Sequence, residues 1–171
     1  PTVKRLENLS LSQYVLKRNG VPLGHRASLI QNLNRSLGAE SNALFWKHWN
    51  PIWGYFLARY IYVPLTSVCS KRFAVVITFG VSGALHDVAI GLLGYGWQYF
   101  LTVWFVILGI FLNLSSYLEI NYGECRLFTW VGINVVSVLA AFILLLLLSS
   151  NVSLQKIFAI KDREKRLVLA K

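Results

Sequence analysis

Two ionisable residues, His86 and Asp87, interrupt an otherwise apolar run, "FAVVITFGVSGALHDVAIGLLG", from Phe73 to Gly94. Polar groups at membrane depth are costly, and where they occur they mark a candidate functional site. A helix through the run sets His86 about 20 Å along from Phe73, well away from that end. Thr78, Ser82 and His86 recur every fourth residue and share a face. Gly80, Gly83 and Asp87 fill the neighbouring sector, while Val75, Val76, Phe79 and Ile90 lie on the other side. The small, polar side must meet other protein or a water-filled cavity. Histidine suits proton transfer because its ordinary pKa lies near neutrality. Two readings of His86 stand side by side: a general base in a buried cavity, or an interhelical hydrogen-bond partner close to the end of a span.

A second candidate stretch, "FWKHWNPIWGYFLARYIYVPL", runs from Phe45 to Leu65. Asn50 immediately precedes Pro51, the order of an N-cap followed by the first helical residue. Trp53, Phe56, Leu57, Tyr60, Ile61 and Pro64 then trace one helix face. Arg59 falls off that stripe, placed either to bind an anionic group such as a lipid phosphate or simply to snorkel. His25 and His48 sit in basic segments and read as solvated. No phosphate-cradling glycine loop, serine-nucleophile motif or metal-ligand spacing is present, so no metal is expected. Cys69 and Cys125 make neither a disulfide framework nor a metal motif and read as small packing residues.

These residues need elements to hold them. The chain has 171 residues, of which 56% are hydrophobic and 14% charged, with a mean hydropathy of +0.54. A soluble domain averages about 25% charged residues. Three runs, Phe73–Gly94, Trp97–Leu118 and Phe128–Ser150, each reach the roughly 20 residues that cross a bilayer. They do not alternate as barrel strands would, so they are expected to be helices. The fold class is all-α: a polytopic helical membrane protein with three transmembrane helices and one amphipathic or re-entrant helix. Residues 1–50 form a basic, amphipathic, polar segment in which Leu29, Ile30, Leu33 and Leu37 suit a helix lying on a membrane surface. Residues 51–70 form the aromatic interfacial or re-entrant helix, 73–150 the three-span bundle, and 151–171 a basic tail. The net charge of +10 flanks membrane spans, where anionic lipid accounts for it; no nucleic-acid partner is expected. Positive residues lie on both flanks of the bundle, so the orientation rule leaves the topology open, with the N-terminal region placed in the cytoplasm. A start at Pro1 without any Met fits either a processed initiator or a piece of a longer chain.

The aromatic stretch resembles the signature region of the membrane-bound O-acyltransferase family, and is nearest the bacterial branch that acylates cell-surface polysaccharides and teichoic acid. The shared frame is Phe45-Trp46, a basic pair, Trp49, a polar residue and a helix ending "YIYVPL". Downstream, "VSGALHD" is similar to the family's Ser-Gly-x-x-His segment, with the catalytic histidine falling on His86. The resemblance covers roughly residues 40–118. It implies helices around a tunnel, with an acyl thioester entering from one side and a hydroxyl acceptor from the other. His86 would take the hydroxyl proton. Asn50 would orient a substrate by hydrogen bonding; that position is His in the polymer-acylating branch and Asn in the sterol and glyceride branches. Trp46, Trp49, Arg59, Ser82 and Asp87 complete the expected substrate-binding set. The resemblance implies no bound cofactor, a coenzyme A or carrier-protein thioester as donor substrate, and residence in a bacterial inner membrane. Family members carry many more spans, so the expected partners are the lipid bilayer, the two substrates, and either further N-terminal spans or another membrane protein. A non-catalytic scaffold or lipid-binding remnant is the alternative, and a small transporter a third class.

Overall fold

The computed structural model describes residues 9–95, 99–120 and, between 131 and 147, positions 131–136, 138–140, 142, 143 and 147. Among the described residues every regular element is helical. The N-terminal platform comprises α1 (Leu11–Asn19), α2 (Ser28–Leu37) and α3 (Asn42–His48). Ser10 starts α1 with a capping box: its Oγ accepts from Gln13 N while the Gln13 side chain accepts from Ser10 N. Gly20 ends α1 at φ 81°, the left-handed cap that glycine adopts without strain. Helix α2 keeps Leu29, Ile30 and Leu33 exposed, the apolar stripe that an interfacial helix offers to lipid.

Residues 51–68 form one run of helix with a wide turn inside it. Helix α4 (Pro51–Leu57) passes through a π-helical turn at Ala58–Tyr62 into α5 (Val63–Val68). Pro64 follows the π turn; it has no N–H to continue the regular ladder. Tyr14 of α1 packs edge-on against Tyr55 of α4 at 5.5 Å between centroids, tying the platform to this helix.

Among the described residues, two helices are long and apolar enough to cross a membrane: α6 (Lys71–Ile90), which continues to Leu93, and α7 (Phe100–Tyr117). The 23 residues of Lys71–Leu93 rise about 35 Å, beyond a hydrocarbon core of about 30 Å. The two helices run antiparallel, in close contact along their length. A Cβ on Gly83 would lie 2.5 Å from Leu101 O, and one on Gly109 3.1 Å from Val76 Cα. Small residues thus let the backbones approach, as membrane helix pairs require. At the far end Asn113 Nδ2 donates to Arg72 O at 2.8 Å.

The expected third span is met only in part. An apolar helix, α8, is described at Val131–Ala140, with helical residues again at 142, 143 and 147; the described stretch alone is shorter than a crossing. Residues 128–130, 137, 141, 144–146 and 148–150, the tail 151–171 and Cys125 lie outside the described residues. Asn134 of α8 is fully buried, and its Nδ2 donates to Leu37 O and Ala39 O. That bond closes the C-terminal end of α2, whose last carbonyls lack helical partners.

Candidate functional site

His86 sits on α6 with its ring held on three sides. Its Nδ1 lies 2.6 Å from Ser82 O. A carbonyl can only accept, so Nδ1 carries a proton, and in the neutral ring the lone pair is therefore on Nε2. Trp53 meets the ring edge-on at 5.7 Å, and Phe105 stacks on it at 5.2 Å with a 28° interplanar angle. Trp53 Nε1 also donates to Ser82 Oγ at 2.9 Å. The aromatic helix therefore fixes Ser82, and Ser82 fixes the imidazole.

Two cavities meet at this ring. One, of about 430 Å³, is lined by polar groups including Arg18, Lys47, Asn50, Thr78 and Ser82 as well as aromatic side chains. The other, of about 390 Å³, is walled by hydrocarbon and indole, with Leu101, Trp104, Leu108 and Leu139 among its lining. Trp46, Trp49, His86 and Phe105 line both. The buried setting expected for His86 is not what the fold provides: the residue is exposed. Trp53 and Phe105 cover parts of the ring, and its remaining edge opens between the cavities.

The other expected residues divide into two groups. Ser82, Trp46, Trp49 and Asn50 gather around the cavities. Asn50 has φ 39° and ψ 73°, and its side chain accepts from Trp53 N at 3.3 Å. It is the N-cap that the Asn-Pro order predicts, and its Nδ2 remains free at the cavity. Asp87 and Arg59 are directed elsewhere. Asp87 is buried and accepts from Leu101 N at 3.0 Å, Thr102 N at 2.8 Å and Thr102 Oγ1 at 2.6 Å. It caps α7 from the neighbouring helix, where Tyr99 supplies no side-chain cap. Arg59 Nη1 reaches Tyr55 Oη at 3.1 Å and Leu9 O, just ahead of α1, at 3.4 Å, and it lines neither cavity.

His48 is not a solvated histidine. Its Nδ1 lies 2.9 Å from Arg18 O, and Asn32 Nδ2 donates to its carbonyl at 2.6 Å. Burial pushes its pKa below the ordinary histidine value; the Arg18 carbonyl counters this, while Arg35, Arg18 and Lys47 push it lower. Partial desolvation likewise lowers Lys47, although its side chain stays exposed, with repulsion from Arg18 and Lys17 added. Trp53, Phe105 and Arg18 went unrecognised in the sequence. Each acts across a long separation in the chain, which leaves no local periodicity to read.

Residues 23–119 match the model of the membrane-bound O-acyltransferase family. The chain belongs to that family. The two spanning helices together with this membership make it an integral membrane protein. Within the family it is similar to a probable sterol O-acyltransferase 2 of Schizosaccharomyces pombe, at 42% identity over 57 residues. That stretch is 30% of this chain and only 12% of the relative's length. No solved structure matches the chain.

Proposed function

We propose that this chain is a catalytic segment of a membrane O-acyltransferase, moving an acyl group from a thioester donor to the hydroxyl of a lipid acceptor. The observation that supports this best is the position of His86. Its Nδ1 proton is committed to Ser82 O, and its ring stands between a polar-rimmed cavity and an apolar one. Nε2 takes the acceptor's hydroxyl proton as the oxygen attacks the thioester carbonyl. The C–O bond forms, the tetrahedral adduct collapses with cleavage of the C–S bond, and the imidazolium returns the proton to the departing thiolate. Ester and free thiol are the products. The Nδ1–H bond to Ser82 O strengthens while the ring is cationic, so the same contact that selects the tautomer stabilises the intermediate.

The polysaccharide acceptor and bacterial inner membrane implied by the bacterial branch draw no support from the comparisons. A lipid hydroxyl of the sterol type is favoured by Asn50, by the apolar cavity and by the likeness to a sterol O-acyltransferase. The test is acyl transfer by the full chain in nanodiscs, with an acyl thioester as donor and either a sterol or a polysaccharide as acceptor. Ester should form on the sterol, and His86→Ala should abolish turnover without lowering the melting temperature. Full activity in His86→Ala removes the base assignment. Inactivity of the unaltered chain, even with further spans of a family member supplied, favours the scaffold.

A further inference from the structure

Arg18 is an anomaly for a buried cation. It is only 8% exposed, and its Nε has no hydrogen-bond partner. Its side chain makes no ion pair among the described residues; its one marked contact is the Tyr14 ring, 5.0 Å from Cζ. Burying an unpaired cation is costly, and a tyrosine face offsets only part of that cost. Arg18 nevertheless lines the polar cavity, together with Lys47 and Asn50. The carboxylates among the described residues are Glu40, Asp87 and Glu119, and none lines this cavity. Asp87 is already engaged by α7. The platform instead concentrates like charge: Lys17, Arg18 and Lys47 lie close enough to repel one another. Arg35 and His48 both bond to the Arg18 carbonyl, which fixes this end of α1.

We propose that Arg18 and Lys47 form an oxyanion subsite in the polar cavity that holds a phosphate group. Arg18 precedes the family-matched residues 23–119, so the subsite is built partly by a helix outside the matched region. The guanidinium supplies planar, forked N–H donors and Lys47 a point charge, a pairing suited to phosphate oxygens. Two sources share this chemistry: the nucleotide phosphates of a coenzyme A thioester, and the headgroup of an anionic lipid. The donor source rests on the acyl-transfer reading above; phosphate binding itself does not.

Binding to the full chain in phosphate-free maltoside micelles tests this, read by tryptophan fluorescence because Trp46, Trp49 and Trp53 line the cavity. The probes are coenzyme A, pantetheine, which lacks its phosphates, and micelles doped with phosphatidic acid. Arg18→Gln and Lys47→Gln should each weaken a phosphate-bearing probe about tenfold or more and leave pantetheine unchanged. An effect on coenzyme A assigns the subsite to the donor, and an effect on phosphatidic acid alone assigns it to a lipid headgroup; both support the subsite. Should Arg18→Gln fail to fold, Lys47→Gln at its exposed position and the charge-retaining Arg18→Lys carry the measurement. Unchanged affinity for both phosphate probes in the folded variants overturns the proposal. His86→Ala should keep phosphate affinity. A chain that binds phosphate through Arg18 yet never turns over would remove the acyl-transfer reading and leave the subsite standing.

Discussion

Asp87→Ala is expected to unlock the α6–α7 pair while leaving His86 bonded to Ser82. The Asp87 carboxylate accepts two backbone N–H groups and one hydroxyl at the start of α7, at 2.6–3.0 Å. Hydrogen bonds to a charged group are worth about 1.5–3 kcal/mol each, though not additively. An N-cap replaced by Ala costs about 0.5–2 kcal/mol. The three bonds serve one helix end, so a total near 3 kcal/mol is expected rather than their sum. Asp87→Asn should cost about half as much. Its single oxygen can replace Oδ2, which serves both Thr102 donors, but its amide group then faces the Leu101 N–H. The assay is reversible unfolding in mixed maltoside and dodecyl sulfate micelles, followed by tryptophan fluorescence. Thr102→Val, which removes only the hydroxyl bond, should cost about 1 kcal/mol. In the Asp87→Ala background it should cost almost nothing, because its partner is already gone. Fully additive effects, or an Asp87→Ala chain of unchanged stability that has lost turnover, would show that Asp87 serves the chemistry instead of the helix junction.

Gly83→Ala should destabilise the same junction by about 1–3 kcal/mol, since the new Cβ would meet Leu101 O at 2.5 Å and Thr102 Cα at 2.7 Å. Gly54→Ala is the control: its Cβ meets nothing nearer than Tyr14 Oη at 3.8 Å, so unfolding should be unchanged or slightly harder. The depressed pKa of His48 means that the unfolded chain binds its proton more readily than the folded one. Stability present above pH 6.5, the ordinary histidine value, should therefore fall as pH drops below it, and His48→Gln should flatten that part of the melting-temperature profile. Asn50 separates capping from substrate contact: Asn50→Ala should cost about 2 kcal/mol through the lost cap and the positive φ. Asn50→Gly accepts that φ and should cost only a few tenths of a kcal/mol, so a fall in its turnover would register the loss of the free Nδ2.

How far the chain could be read before folding depended on separation. The spacing of Leu29, Ile30, Leu33 and Leu37 located α2, and apolar length located α6 and α7. Helix α3 escaped because seven residues span just under two turns, too few for a repeating apolar face to stand out; Phe45 stacking on Trp49 at 5.4 Å and the Ser41 cap hold it. Within one helix, spacing placed Ser82 and His86 on a shared face, and the Nδ1 bond to Ser82 O follows from that. Asn50 capping was legible for the same reason: its target is three residues away. The contacts of Trp53 with Ser82, of Phe105 with His86 and of Arg18 with the cavity join distant segments, and only the packed helices bring them together. Neighbouring His86 and Asp87 show what such reading leaves out. Consecutive residues on a helix point about 100° apart. That rotation sends the imidazole toward Trp53 and the two cavities, and the carboxylate toward the first turn of α7. Composition marks both as costly polar groups in an apolar run, but their partners differ: Asp87 is consumed by three donors, whereas His86 spends one nitrogen on a carbonyl, and on the proposed acyl-transfer reading the other is the base.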